Sequence, residues 1–291
     1  MTFNKRFLGR IYLVAVIGIV VWLLVDRGSE MFDLFSEARP LPLVAVVGFA
    51  FLPFFANTAF WTIALRELGE EITWKQVNEA AIKTTLTRYL PGGIWLFASR
   101  SLALRNEGVA THSLVVFYGL ENLLAIPIAV LIGSLLLVTS SGIPLWMGWV
   151  SLSLLVAIAI FVRPILDRFM TWWSGRKGLD APKKISNSGI LKMYLSLFIY
   201  WFTFGTVFYS YLRSAGQAIE WTTAVGGFSL FWRISLFAPF APHGLGVFEP
   251  SFIALANWTV NALLLVGAFR AVLLIRDLLL TFIAGFFIKS S

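Results

Sequence analysis

The sequence predicts an all-α polytopic membrane protein, on three observations of composition and pattern. The 291 residues are 58% hydrophobic and only 13% charged, whereas a soluble domain is about 45–50% apolar and about 25% charged. The mean hydropathy is +0.82. Apolar stretches of about 20 residues, the length at which a helix crosses a bilayer, recur along the chain. We therefore expect one membrane domain over residues 1–291.

Six stretches are long and apolar enough to be spanning helices. They are residues 11–25, 43–65, 113–138, 145–162, 193–212 and 260–288. The first has no small-residue cleavage site and is followed directly by charges, so we interpret it as an uncleaved span rather than a signal peptide.

Lys and Arg indicate the side that each loop faces, because they concentrate in cytoplasmic loops. Most of the 23 lie before residue 11, in 66–105, in 163–192 or after residue 288, and the segment 26–39 is net acidic. Six spans with both termini in the cytoplasm satisfy this distribution. We expect a multi-pass protein of the plasma or inner membrane.

Two regions, 74–104 and 221–256, each hold two apolar pieces of half the spanning length, interrupted by Pro and Gly. The interruptions are Pro91-Gly92-Gly93 and Pro242-His243-Gly244. Each half of the chain then has the order span, span, broken hairpin, span. We predict inverted repeats over 1–140 and 141–291, each with a re-entrant hairpin, an arrangement typical of a transporter's binding site. Two kinked spanning helices are the alternative.

The second interruption has the features of an anion site. A helix that opens after Gly244 would present free N–H groups and the positive end of its dipole to a phosphate. Gly244 and Gly246 lack side chains that would block the approach, although tight packing would also explain them. His243 is a candidate for proton exchange or for contact with a headgroup.

Ionisable side chains inside predicted spans are a second signal, because a charge at the bilayer centre costs about 2.5–3.5 kcal/mol. Glu121 lies in the third span, Arg270 and Arg276 lie in the last, and Glu249 belongs to the second broken region. Arginines beside a buried acid can bind a phosphodiester bidentately; structural salt bridges are the alternative. Asp277 follows Arg276 and would point about 100° away from it on a helix, toward a different partner.

Three arginines flank the first broken region. Arg88 and Arg105 are expected to extend toward lipid phosphates at the membrane surface. Arg100, nine residues past Pro91, is the best candidate for a further role.

Several functions are excluded or not expected. The chain has no cysteine and two histidines, which excludes thiolate chemistry and leaves no predicted metal site. We find no nucleotide-binding loop and no catalytic motif, so we expect no cofactor and no enzyme. The net charge of +8 indicates cytoplasmic loops and anionic lipid rather than nucleic acid.

The two interruptions and the charged positions resemble the lysylphosphatidylglycerol synthase transmembrane (flippase-like) family over roughly residues 5–288. The resemblance implies two inverted halves that handle lipids and implies these functional positions: Pro91, Gly92, Arg100, Glu121, Pro242, Gly244, Gly246, Glu249 and Arg276. Trp95-Leu96, Asn122 and His243 depart from the pattern, and the lost acid beside the first interruption argues against a lysyl headgroup. The synthase domain of bifunctional members is not expected here.

The function predicted is a translocator that moves an anionic phospholipid or a polyprenyl-phosphate-linked lipid between leaflets, with membrane lipids as partners and a homodimer left open. The candidate substrate-binding residues are Pro91, Gly92, Gly93, Arg100, Glu121, Pro242, His243, Gly244, Gly246, Glu249, Arg270 and Arg276. A membrane enzyme that modifies a lipid headgroup by glycosyl or phospho transfer is one alternative. A small-solute secondary transporter is the other.

Overall fold

The computed structural model describes residues 40–90, 94–140, 144–177, 185–235, 246–258 and 262–287. Within these ranges the chain forms ten α-helices and no strand, which confirms the predicted all-α class there. The helices are α1 Pro40–Phe49, α2 Phe51–Glu67, α3 Trp74–Thr85, α4 Ile94–Asn106, α5 Thr111–Ser140, α6 Leu145–Lys177, α7 Asn187–Ser214, α8 Trp221–Ser235, α9 Phe248–Leu255 and α10 Ala262–Phe287. A 3₁₀ turn, Leu86–Tyr89, follows α3.

Three helical segments of the described chain are long and apolar enough to cross a membrane: Leu41–Glu67, Thr111–Ser140 and Asn187–Ser214. They contain the predicted spans 43–65, 113–138 and 193–212. The predicted span 145–162 coincides with the first part of the 33-residue α6, and the predicted span 260–288 coincides with the 26-residue α10. The predicted span 11–25 lies outside the described residues, so a total of six spans stays a prediction.

The two regions predicted to be broken each contain a pair of short helices that pack together. The first pair has 12 and 13 residues, or about 18–20 Å at 1.5 Å per residue, against about 30 Å for the hydrocarbon core. The second pair has 15 and 8 residues. The interruptions themselves, in 91–93 and 236–245, lie outside the described residues. The re-entrant path of both segments stays a prediction.

The turns that follow α2 and α7 are alike. Gly69 and Gly216 adopt φ of +96° and +78°, and in each turn the next residue donates its N–H to the carbonyl four residues before the glycine, at 3.0 Å. The sequences around them match 147 residues apart: Leu65-Arg66-x-x-Gly69-x-x-Ile72-x-Trp74 and Leu212-Arg213-x-x-Gly216-x-x-Ile219-x-Trp221. The two tryptophans begin α3 and α8.

The turns that follow α4 and α9 are also alike, 149 residues apart. Gly108 has φ of +96° and Asn257 has φ of +52°. The next residue again donates to the carbonyl four positions before the turn residue, at 3.1 and 3.0 Å. Such left-handed turns close helix C-termini. The division of the chain into two inverted repeats stays a prediction.

Helices α5 and α8 approach closely through glycine. A Cβ atom at Gly133 would lie 2.8 Å from Leu230 Cβ, and one at Gly226 would lie 3.1 Å from the Gly133 carbonyl oxygen. Small residues permit such contact between membrane helices, where packing and hydrogen bonds rather than the hydrophobic effect drive association. The close crossing holds the polar residues of α5 beside those of α8.

A buried aromatic core joins α7, α8, α9 and α10. Its rings meet at centroid distances such as 4.7 Å for Phe204–Phe228 and 4.9 Å for Phe208–Phe252. Edge-to-face aromatic pairs add about 0.5–1.5 kcal/mol beyond their burial. This core fixes the eight-residue α9, which is too short to be stable alone.

Candidate functional site

Arg100 of α4 and Glu121 of α5 form a buried ion pair. Arg100 Nη1 lies 3.3 Å from Glu121 Oε2, and Trp61 of α2 donates its Nε1–H to Glu121 Oε1 at 3.1 Å. The guanidinium carbon of Arg100 also lies 3.8 Å from the centroid of the Trp61 ring. A buried charge is costly unless it is paired and hydrogen-bonded, so these contacts fix three helices as one unit.

Asn122, the next residue on α5, connects this pair to α8. Arg233 Nη2 donates to Asn122 Oδ1 at 2.7 Å, and Asn122 Nδ2 donates to the Tyr118 carbonyl at 2.8 Å. Arg233 also lies within electrostatic range of Glu121. Among the described residues, Arg233 thus hydrogen-bonds to the neutral amide of Asn122 and not to the Glu121 carboxylate.

Asp277 of α10 is fully buried and binds three side chains. Arg276 donates from Nη2 and Nε to Asp277 Oδ1 at 2.6 and 2.9 Å. Tyr89 donates its hydroxyl to Oδ2 at 2.9 Å, and Arg88 Nε lies 3.5 Å from the same oxygen. Arg276 Nη1 also donates to the Ala50 carbonyl at 3.2 Å. The first broken region is thus tied to the last helix.

Tyr200 of α7 interacts electrostatically with Arg88, Arg233, Arg276 and Glu121. Arg88 and Arg100 are also within range of each other. These interactions define a cluster of Arg88, Arg100, Arg233, Arg276, Glu121 and Asp277, called the buried arginine cluster below. Arg100, Arg276 and Asp277 are buried, and the other three side chains are half-buried. Four arginines and two carboxylates carry a formal charge of +2 among the described residues.

The segments outside the described ranges add few acids to this balance. Of the 15 acidic residues, four lie in 1–39, before the first described helix, and Asp180 lies in the sequence between α6 and α7. Residues 91–93 and 236–245, which contain the Pro/Gly interruptions, have no acidic residue. The two interruptions therefore contribute no acidic side chain that would reduce the formal charge of +2.

A second buried ion pair joins α9 to α10. Arg270 donates from Nε to Glu249 Oε1 at 2.8 Å, and its Nη2 lies 2.7 Å from the same oxygen. Gly246 donates its N–H to Glu249 Oε2 at 2.8 Å. The Arg270 guanidinium carbon lies 4.8 Å from the Trp232 ring centroid. One acid and one base balance here, inside the aromatic core.

The structure groups the sequence-predicted site residues into two places. It brings Arg100, Glu121 and Arg276 into the buried arginine cluster, and it brings Gly246, Glu249 and Arg270 together in the second pair. Arg270 and Arg276 therefore have different carboxylate partners. The remaining candidates, Pro91, Gly92, Gly93, Pro242, His243 and Gly244, lie outside the described residues.

Two interpretations of single residues were wrong. Asp277 and Arg276 bond to each other, because the long arginine side chain curves back along the helix where a low dielectric strengthens the pair. Arg88 does not extend to the membrane surface; its Nε donates to the Thr85 carbonyl at 3.1 Å and lies beside Asp277.

The sequence predicted that free N–H groups after the second interruption would bind a phosphate. At Gly246 the structure shows a different partner. The N–H of Gly246 bonds to the Glu249 carboxylate, so the chain's own side chain is the anion at this amide. An acidic residue in the first turn of a helix is stabilised by the dipole in the way that a phosphate would be.

Several residues of the site were not on the predicted list: Trp61, Arg88, Asn122, Tyr200, Arg233 and Asp277. Arg88, Arg233 and Asp277 carry a sequence signal, because each is a charge in or beside an apolar segment. Trp61 and Tyr200 carry none, since aromatic residues occur throughout the chain. Within the described ranges, no three acidic or histidine side chains gather as a metal site.

Long apolar helices with charged side chains buried between them define a polytopic helical membrane protein. The chain matches the family described as the lysylphosphatidylglycerol synthase TM region over residues 10–284, and it belongs to that family. The family makes this a membrane protein tied to lipid handling. No curated protein matches the chain.

Proposed function

We propose that this protein moves an anionic lipid between the leaflets of the plasma or inner membrane, with both termini in the cytoplasm. The observation that carries the proposal is the buried arginine cluster, in which two buried and two half-buried arginines interact within a member of a lipid-handling membrane family. Charges buried within membrane bundles mark substrate pathways by default.

The chemistry of the cluster favours a phosphate group. Guanidinium is planar and matches phosphate oxygens with two parallel hydrogen bonds. In a medium of low dielectric these bonds are worth more than in water. Glu121 and Asp277 hold Arg100 and Arg276 in place while no headgroup is bound.

The apolar part of the lipid has a surface beside the cluster. A hollow of about 480 Å³ on the outer face of α10 is lined by Ile275, Leu278, Leu279, Thr281 and Phe282. Arg276, on the same helix, points into the bundle. One helix would therefore contact both parts of the substrate: the phosphate inside and the hydrocarbon chain at its lipid-facing side.

In this proposal, the two interrupted segments open the site to one leaflet and then to the other. The helix-end turns recur 147 and 149 residues apart. Glu121 releases Arg100 when a phosphate competes for that guanidinium.

The direct test is lipid movement in proteoliposomes. Purified protein is reconstituted with phosphatidylglycerol that carries a fluorophore on its acyl chain, and a membrane-impermeant reductant bleaches the outer leaflet. We expect protein-dependent bleaching of the inner-leaflet lipid as well, and slower bleaching when the label is on a lipid with a cationic headgroup. Equal rates in protein-containing and protein-free vesicles for every anionic lipid would contradict the proposal.

A pair of double variants separates the site from general effects. Arg100→Gln with Glu121→Gln removes the buried pair without a change in net charge, and we expect at least roughly tenfold slower movement, since about 1.4 kcal/mol corresponds to tenfold. Lys75→Gln with Glu79→Gln makes the same change in a surface pair of α3, where Lys75 is exposed and Glu79 half-buried, and is expected to leave the rate unchanged. A chemically altered lipid in extracts of the vesicles would instead favour a headgroup-modifying enzyme.

A further inference from the structure

The buried arginine cluster has more positive charge than its own acids neutralise. Asp277 is shared by Arg276 and Arg88, Glu121 pairs with Arg100, and Arg233 bonds to an amide. Two guanidinium Nε–H groups, those of Arg100 and Arg233, are buried and have no acceptor among the described residues. Orphaned donors are rare in native proteins and each calls for an explanation.

We propose that the natural ligand of this cluster carries two negative charges on phosphate: a lipid phosphomonoester or a lipid diphosphate, rather than a phosphodiester. This inference deepens the proposed function, on which it rests, by naming the class of headgroup. Two charges on the ligand bring the formal charge of the cluster from +2 to zero, and its extra oxygens supply acceptors for the two Nε–H groups.

A phosphodiester headgroup satisfies only part of this requirement. It carries one negative charge and two non-bridging oxygens, so one positive charge would stay buried without neutralisation. A phosphomonoester carries about −1.5 to −2 at pH 7 and three acceptor oxygens. Coulomb energies grow as the dielectric falls. The difference of one charge between the two headgroups therefore changes the binding free energy more in a site shielded from water than at an exposed one.

The second ion pair does not share this demand. Glu249 and Arg270 balance each other, and the carboxylate already accepts the Gly246 N–H. Because, of the two described groups, only the buried arginine cluster has an excess of positive charge, we assign the phosphate to that cluster and not to the segment around α9.

The test compares two lipids that differ in the ester alone. Dioctanoyl phosphatidic acid, a phosphomonoester, and dioctanoyl phosphatidylglycerol, a phosphodiester with the same chains, are titrated onto the full-length protein in neutral detergent, and binding is measured by native mass spectrometry. We expect at least about tenfold tighter binding of the monoester at pH 8, the scale of one additional charge contact in a partly screened site.

The preference is expected to depend on pH in a defined direction. The second pKa of a free phosphomonoester is about 6, and the arginines favour its doubly charged form. The additional affinity is therefore present above that pKa and decreases as the pH falls through it, while diester binding changes little. A monoester preference that is the same at pH 8 and at pH 5.5 would overturn the charge explanation.

Matched variants locate the preference. Arg233→Gln removes the arginine whose bonded partner, within the described part of the chain, is an amide, and we expect the ratio of monoester to diester affinity to fall toward one. Arg233→Lys, which keeps the charge, should retain most of the preference. Arg213→Gln makes the same substitution at an exposed position and should leave the ratio unchanged. Equal affinities in the unaltered protein, with phosphatidylglycerol still moved in vesicles, overturn this inference alone. If neither lipid binds or moves, the proposed function fails too.

Discussion

The two buried glutamate–arginine pairs occupy corresponding places in the two halves of the chain with their charges exchanged. Arg100 and Glu121 are 21 residues apart, as are Glu249 and Arg270, and each member of one pair lies 149 residues from its counterpart. In each pair the arginine lies over a tryptophan ring, that of Trp61 or Trp232, at 3.8 and 4.8 Å respectively.

The surroundings of the two pairs differ in charge and in geometry. The second pair has two nitrogen–oxygen contacts of 2.7 and 2.8 Å, plus a backbone N–H on the carboxylate, inside an aromatic shell. The first has one contact of 3.3 Å, and two further arginines, Arg88 and Arg233, interact with it electrostatically. The same spacing therefore gives a self-contained structural pair in one half and, in the other, a pair that an incoming anion can compete with.

The largest expected difference concerns the loss of each carboxylate. Glu249→Gln leaves a buried arginine charge without its carboxylate, and we expect a loss of about 3–5 kcal/mol in the free energy of unfolding, measured by denaturant titration in detergent. Glu121→Gln should also destabilise the protein, but added phosphatidic acid should restore much of that loss, because the lipid supplies the missing negative charge. Recovery of both variants by the lipid, or of neither, would erase the distinction between the two pairs.

Double-mutant cycles give a smaller and sharper measure of the same contrast. Single and double Gln variants at 249 and 270 should show a coupling energy of about 2–3 kcal/mol, and those at 100 and 121 about 1 kcal/mol, within the range for residues in contact. The shorter two-contact geometry of the second pair is the reason. Equal coupling energies would show that the neighbouring arginines do not weaken the first pair.

The smallest expected effects are at the turns that repeat after α4 and α9. Gly108 adopts φ of +96° with open space where a Cβ would lie, and its counterpart is Asn257. Gly108→Asn and Asn257→Gly should each change the free energy of unfolding by about 0.5 kcal/mol or less, because both residues tolerate the left-handed region. Gly108→Val should cost about 1–2 kcal/mol. A large loss in Asn257→Gly would show that the asparagine side chain, rather than its backbone, is required.

Much of the architecture is predictable from the order of residues. Apolar runs such as 113–138 locate helices because a bilayer-crossing segment must satisfy its backbone internally. The family resemblance rested on Arg100, Glu121, Glu249 and Arg276 and on the two Pro/Gly interruptions, and the family match over residues 10–284 confirms it. The short motif that recurs around Gly69 and Gly216 is also visible in the sequence, although the predicted repeats were based on other residues.

Only the tertiary structure shows which charged residues pair with each other. No local rule joins Tyr89 to Asp277, which are 188 residues apart, or Arg233 to Asn122, which the close approach of α5 and α8 brings together. The assignment of Arg88 to Asp277 instead of the membrane surface also needed the position of α10 beside α3. Sequence periodicity specifies which face of a helix is apolar, whereas the partner of a buried charge is set by the neighbouring helices, because the cost of burial selects whichever opposite charge or polar group packing places within reach.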